Sequence, residues 1–340
     1  MRGVAGKRYY IDAPLIGGSH VTLNMRNCTV IEVAGSNCNL FRNEAIEPVA
    51  TAADGAMIKM QNTVVTSLAS IAVAGQSITV SGAGNGGRSP LCGVVSAIDS
   101  DSASITITKL GTGSACPAQA SVNRAMINLY TRDSAVKVVG GAWQRGGNEG
   151  SGLNLHNFLI RHVDDVTIDI EGLTSTDGKY AVSAADLTDG YFRLKGLKSN
   201  SDGVHLMGPV FGCHVPELVG ITGDDAFAIT ASDWAGYNDT SGDVSAINIG
   251  DIRAVSSANL FKVIAGIGNH VDGVKVYGGI FGSAAIDVIW IGDDVAQANT
   301  TGGTYGSIDC GLVAASQPRW RLGRTLRVVR SWLHRIKRDP

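Results

Sequence analysis

The 340-residue chain has no CxxC pair and no Cys/His cluster at metal-ligand spacing, so its six cysteines point to neither a zinc site nor a redox motif. Cys28 with Cys38, or Cys92 with Cys116, would be the pairs to form in an oxidising setting, but free buried thiols are the expectation. No run of 18 or more apolar residues occurs, which leaves nothing to cross a bilayer as a helix. The opening "MRGVAGKRYYIDAPLIGG" lacks the continuous apolar core of a secretory signal, so no signal peptide is expected and an extracellular role would need another route, such as assembly into a particle released by lysis. The "GAGNGG" run at Gly82 to Gly87 has no GKS or GKT and no helix after it, and reads as a loop rather than a phosphate cradle. No motif that reads DNA is present, so nucleic acid is not an expected partner, and nothing calls for a cofactor.

What the chain does have is glycine, 44 residues of it, with abundant Ser, Thr, Asn, Asp and Val and only 17% charged residues. That balance favours short strands joined by tight turns, an all-β protein. A recurring phrase supports this: "AVKVVGGAW" from Ala135, "VTIDIEGL" from Val166, "GYFRLKGL" from Gly190, "CHVPELVGI" from Cys213, "AINIGDI" from Ala246 and "GVKVYGGI" from Gly273. Each alternates apolar and polar residues and runs into a Gly or Asp turn. With Val138, Ile168, Phe192, Val215, Ile249 and Val276 taken as equivalent, the intervals are 30, 24, 23, 34 and 27 residues. Such a period without amphipathic helices predicts a parallel β-helix; a leucine lattice is missing, and a propeller blade would need a longer repeat.

Two segments break the pattern. Residues 64–128 read as a small inserted β-subdomain, with a hairpin "VVSAIDSDSASITIT" turning at Asp99 to Ser102. Residues 319–340 carry eight basic residues against one acid, on a chain of net charge -2, and Leu322, Leu326, Val329, Leu333 and Ile336 form an apolar stripe at helical spacing. This basic tail is expected to be an amphipathic helix for capping or self-association, or a contact for an anionic membrane or docking partner. The expected division is therefore 1–63 for the first coils, 64–128 for the insertion, 129–318 for the main β-helix and its groove, and 319–340 for the tail.

The candidate chemistry sits in "NSDGVHLMGP" and "GDDAFAIT". Asp202 precedes the pair Asp224 and Asp225 by 22 residues, about one coil. Stacked coils advance ~4.7–4.9 Å along the axis, so these carboxylates become neighbours. In a partly desolvated groove they cannot all ionise freely, and one should hold its proton near neutral pH. A protonated acid beside an ionised base is what glycoside hydrolysis requires. Asn-Ser-Asp-Gly and Gly-Asp-Asp are equally ordinary turn sequences, with Asp capping backbone N–H groups, and calcium held by the three carboxylates is a third reading. Neighbouring Asp224 and Asp225 point to opposite faces in a regular strand, so only one would share the face of Asp202 unless a turn intervenes.

"NSDG" followed one coil later by "GDD" resembles the polygalacturonase family of right-handed β-helix glycoside hydrolases. The phrases "TSTDGKYAVSAADLTD", "SDGVHLMGP" and "TGDDAFAITASDW" are similar to pectate-lyase-like β-helix proteins of phage and prophage tails, a likeness covering roughly Arg8 to Asp294. The resemblance implies that Asp202, Asp224 and Asp225 supply the general acid and the water-activating bases. It also implies a virion-tail, extracellular protein, commonly a homotrimer, that meets other tail proteins and a bacterial surface polysaccharide. The family's Gly-His-Gly is expected near residues 245–250, where this chain reads "SAINIG" without histidine; His270 comes later, and a literal "RIK" at Arg335 to Lys337 lies in the tail. Lys262 is the better candidate for a cation beside the groove. His205 is a candidate for holding a sugar, and Asp233, Trp234 and Tyr237 for a sugar platform, because an aromatic face stacks on a pyranose while carboxylates bind hydroxyls. Each has a plain structural alternative, in a strand end or a loop packed by its own aromatics. Three functions compete at this point: a polysaccharide hydrolase, a receptor-binding or structural β-helix without turnover, and an eliminative lyase using Lys262, Arg253 or His205.

Overall fold

In a computed structural model the chain is described over residues 1–58, 62–84, 89–116, 122, 124–146, 152–233, 239–266, 268–294 and 301–316. Among the described residues, eighteen strands form one continuous sheet system paired in parallel, wound as a β-helix. The alternating phrases of the sequence are its coils. Val138 pairs with Ile168, Ile168 with Phe192, Val215 with Ile249 and Ile249 with Val276; only the step from Phe192 to Val215 falls at a register shift. All six point inward and are buried. Alternation works here because successive side chains of a strand face opposite sides: the apolar set fills the interior and the polar set faces out.

The register shifts after Ala185 and after Leu194 divide the long strands Val182–Ser199 and Val204–Thr222 into three segments, and the shift at Phe192 lies inside the second of them. The first segment stacks Val182 on Val204, Val204 on Phe227, Phe227 on Phe261 and Phe261 on Ile289. The Phe227 and Phe261 ring centroids lie 6.0 Å apart, and both residues are fully buried. Phe227→Ala empties the middle of this column and is expected to cost roughly 3–5 kcal/mol, read as a lower urea midpoint at unchanged slope. A loss below about 1 kcal/mol would mean that the column collapses onto the gap.

The 34-residue interval arises because the chain leaves the helix after Thr230 and rejoins it at Val244, where Val210 pairs with Val244. Arg161 closes part of this excursion by an ion pair to Asp239, at 2.7 Å.

The insertion is a closed antiparallel barrel of six strands among the described residues. Its first strand, Ala50–Ile58, and its last, Ala125–Tyr130, pair with each other, so the insertion begins at Ala50 rather than at residue 64. The boundary was hidden because "ATAADGAMI" has the same small, alternating composition as a coil. The expected hairpin is present, with Asp99 opposite Ser104. The barrel has a core of its own, including Val64, Ile78, Val80, Ile105 and Ile127, and rests on the β-helix through Lys109 and Asp243 and through Arg132. At Gly111, where φ is +69°, an added Cβ would meet the Phe211 ring at 2.2 Å, so the docking loop can approach that ring only without a side chain.

All six cysteines are free thiols. No helix among the described residues is long and apolar enough to cross a membrane. The basic tail falls outside the described residues.

Candidate functional site

The three aspartates lie at the corner where the third segment of one coil turns into the first segment of the next. Asp202 stands two residues before Val204, and Asp225 two residues before Phe227, which pair with each other. They are therefore stacked one coil apart. The corner is knitted by backbone bonds that repeat from coil to coil: Ala181 N–H donates to Asp202 O at 2.9 Å, Gly203 to Asp225 at 2.9 Å, Ala226 to Asn259 at 2.8 Å and Leu260 to Asp287 at 3.1 Å. Asp224 and Asp225 occupy a bend rather than a regular strand, so their side chains need not oppose each other. One oxygen from each of Asp202, Asp224 and Asp225 lies within 4.8 Å of the others.

Their environments differ. Asp202 and Asp225 are buried, whereas Asp224 is exposed. Asp225 accepts from Asn259 Nδ2 at 2.5 Å and pairs with the Lys262 ammonium at 3.0 Å. Asp202 is bonded to His205 Nδ1 at 2.6 Å. His205 Nε2 in turn lies 2.7 Å from Thr230 Oγ1 and 3.5 Å from Asp233 Oδ2, while Tyr180 stacks on its ring at 4.1 Å. Tyr180 also donates its hydroxyl to Asp233 at 3.1 Å.

Although the residue as a whole is exposed, partial loss of solvent around its carboxyl, followed by the charges of Asp202 and Asp225, pushes Asp224 up to about 7. Burial, then the charge of Asp225, raises Asp202, against the opposing hydrogen bond from His205. For His205 burial is the largest influence and pulls the imidazole down, but Asp233 and Asp202 together outweigh it and the net shift is upward. Lys262 behaves likewise: burial pulls it down most, and Asp225 and Asp202 hold it up. The site thus contains a carboxyl that keeps its proton near neutrality beside a carboxylate neutralised by a fixed cation.

The sequence candidates separate clearly. Lys262 joins the carboxylates. His205 also joins them, but buried, as a partner of Asp202 rather than as a group facing solvent. Asp233 is buried against Tyr180 and His205, which changes its place from an open platform to the supporting layer of the corner. Trp234 and Tyr237 lie outside the described residues. His270 is hydrogen-bonded to Thr304 at the start of its own strand, and Arg253 reaches Asp251 and the Phe281 ring on another segment. "SAINIG" is not the coil that follows Asp225. The excursion after Thr230 delays that coil, and its corner residue is Asn259, since Phe227 pairs with Phe261. No histidine stands there either.

Several residues of the corner were not singled out from sequence: Tyr180, Thr230, Asn259 and Trp290. Trp290 pairs with Lys262 across the next coil step, is half-buried, and places its ring 5.0 Å from the ammonium. For Tyr180, Asn259 and Trp290 the signal is a tetrapeptide rhyme: "YAVS" at 180–183, "DGVH" at 202–205, "DAFA" at 225–228, "NLFK" at 259–262 and "DVIW" at 287–290; Thr230 lies two residues beyond the third of these. The first position forms the corner, the third enters the core and the fourth lies on the opposite side of the strand, where Ser183, His205 and Ala228 are buried and Lys262 and Trp290 half-buried.

No protein-family model matches the chain, and no curated protein matches it in sequence. Among solved structures it is similar to the tailspike protein gp49 from Pseudomonas phage LKA1, with 13% identity, 93% of this chain and 72% of that one covered, and a TM-score of 0.28. The tailspike gp61 of Pseudomonas phage phi297 gives 10% identity, coverage of 93% and 65%, and a TM-score of 0.32. The Gp54 tailspike of Acinetobacter baumannii bacteriophage AP22, solved in complex with A. baumannii capsular saccharide, gives 10%, 94% and 66%, and 0.34. This chain spans 65% and 66% of the lengths of the latter two.

Proposed function

We propose that the protein is a phage or prophage tail protein that binds a bacterial surface polysaccharide and hydrolyses it at the aspartate corner. The observation that carries this reading is the set of three carboxylates within 4.8 Å, one exposed and inclined to hold its proton, another fixed by Lys262. Asp224 then protonates the leaving glycosidic oxygen, and Asp225 with Asp202 accepts the proton of the attacking water. His205 sets the orientation of Asp202, and the half-buried Trp290 offers a ring face for a sugar. A virion-tail location, contacts with other tail proteins and a homotrimeric assembly belong to the same proposal.

A tripodal carboxylate set also suits calcium, but the Lys262 ammonium already stands 3.0 Å from Asp225 and supplies the positive charge. Chelation is therefore expected to leave turnover unchanged, while Lys262→Met lowers it about 100-fold. A rate that collapses in EDTA and returns with calcium would reverse that assignment.

A second reading, glycan binding without turnover, draws support from the burial of Asp202 and Asp225 and from the bond of Asn259 to Asp225, which ties adjacent corners. The deciding experiment is reducing-end release, with absorbance for unsaturated products, from a panel of capsular and O-antigen polysaccharides. Release without unsaturation, lost in Asp202→Asn, Asp224→Asn and Asp225→Asn, supports hydrolysis. Binding with no bond broken on any panel member supports the second reading, and unsaturated products would support elimination.

A further inference from the structure

The second segment of the β-helix carries an aromatic track that the aspartate corner does not use. Its outward column runs Thr167, Tyr191, His214, Asn248, Lys275 along the axis, by the pairings of Thr167 with Tyr191, Tyr191 with His214, His214 with Asn248 and Asn248 with Lys275. Tyr191 meets His214 edge-on with ring centroids 5.5 Å apart, and Tyr277 reaches back to within 6.2 Å of the His214 ring. His214 Nε2 and the Tyr277 hydroxyl are hydrogen-bonded at 2.9 Å. His214, Asn248, Lys275 and Tyr277 are exposed; Tyr277 is 51% exposed despite its size.

A ring left this open contributes little to the core. Tyr277 is nonetheless held in place by His214, and the track is flanked by fixed polar pairs: Arg193 binds Asp169 through two nitrogens at 2.8 and 2.7 Å, and Lys195 pairs with Glu217 at 3.4 Å. Rings that present an apolar face beside positioned donors and acceptors suit a carbohydrate, whose C–H faces stack while its hydroxyls hydrogen-bond. The alternative occupant, a second copy of the chain, fits less well. A stable interface needs ~800 Å² per partner with a core depleted of charge, and this track is a short run of rings with a charged row beside it.

We propose that Tyr191, His214 and Tyr277 form a second glycan-binding surface, on a different segment from the aspartate corner, that takes a polysaccharide lying along the β-helix axis. It shares with the proposed function the premise that the ligand is a glycan, but it does not require cleavage.

The test uses the full chain carrying Asp224→Asn, so that glycans are retained. Binding to an array of long and short capsular and O-antigen glycans is compared before and after adding His214→Ala and Tyr277→Ala together, with Tyr277→Phe as the variant that keeps the ring. The expected result is binding of long glycans weakened about tenfold or more by the paired alanines, nearly full binding with Tyr277→Phe, and release from short oligosaccharides within twofold of wild type when the paired alanines are placed on the active chain. Unchanged array binding overturns the proposal even if cleavage is confirmed. Binding through the track with no cleavage anywhere leaves it standing while the hydrolase reading fails. No binding to any glycan on the array, or a change in solution mass on losing Tyr277, overturns it, the latter by showing the track to be a contact between copies.

Discussion

Asp224→Asn is expected to reduce glycan release by about 10²–10⁴-fold, the range of a lost general acid, without unfolding the chain. Asp224 is exposed, and its described neighbours take its backbone carbonyl, which accepts from Thr222 Oγ1 and Ser256 Oγ. The corner's turn therefore survives the substitution. Because the carboxyl is pushed up to about 7, its protonated form is lost as pH rises through that value, and the wild-type rate should fall on the alkaline side of about 7. The stability effect runs the other way from a salt-bridged carboxylate. A group whose pKa is higher folded than unfolded binds more protons in the folded state, so its contribution is full below 3.8 and is lost as pH rises to about 7. Asp224→Asn should therefore melt no lower than wild type at pH 8. If the variant keeps full activity, or if the alkaline limb is unmoved in it, Asp224 is not the acid.

Arg132→Leu is expected to be the most destabilising single change outside the core, at roughly 3–5 kcal/mol for breaking a buried ion pair and about 4–7 °C in Tm. Arg132 leaves the barrel at its exit and enters the β-helix surface, where it pairs with Asp186 at 2.7 Å and Asp164 at 2.8 Å, and it also donates to Ser77 of the barrel. Asp186 is buried and bonded on its other oxygen to His162 at 2.5 Å, whose ring stacks on Tyr130 at 3.9 Å. Burial is the largest influence on Asp186 and pushes its carboxyl up, but Arg132 and His162 overcome it and hold it well below the usual carboxylate range. That contribution is full above 3.8 and fades as pH falls below it. Without Arg132 a buried carboxylate has lost its main counter-charge. Arg132→Leu with Asp186→Asn should recover part of the loss, and a loss under about 1 kcal/mol in the single variant would show that the network contributes no more than a surface pair.

The β-helix was legible because its core obeys a strict lateral repeat. Val138, Ile168, Phe192, Val215, Ile249 and Val276 share one pattern in the sequence, and they stack in register at every step but that from Phe192 to Val215. The closeness of Asp202 to Asp225 followed from the same rule. What sequence spacing could not reveal was the length of each departure from the helix. The excursion from Thr230 to Val244 moves every later residue off a constant period, which put the coil after Asp225 at "SAINIG" instead of at Asn259. The barrel boundary is hidden for a related reason: Ala50–Ile58 looks like another coil until its antiparallel partner, Ala125–Tyr130, is known. The burial of His205 and Asp233 was out of reach, since it depends on contacts between coils and not on the outward position itself.

The rhyme of corner residues has an evolutionary consequence. Tyr180, Asp202, Asp225, Asn259 and Asp287 occupy translationally equivalent places, tied by the same backbone bonds whatever the side chain. Chemistry at the corner is therefore written one letter per coil on a frame indifferent to the letter. A point substitution there can change what the surface does without a new fold, whereas insertion of one whole coil between Asp202 and Asp225 would leave the architecture intact and roughly double their axial separation to ~9.5 Å, separating the carboxylates in a single step.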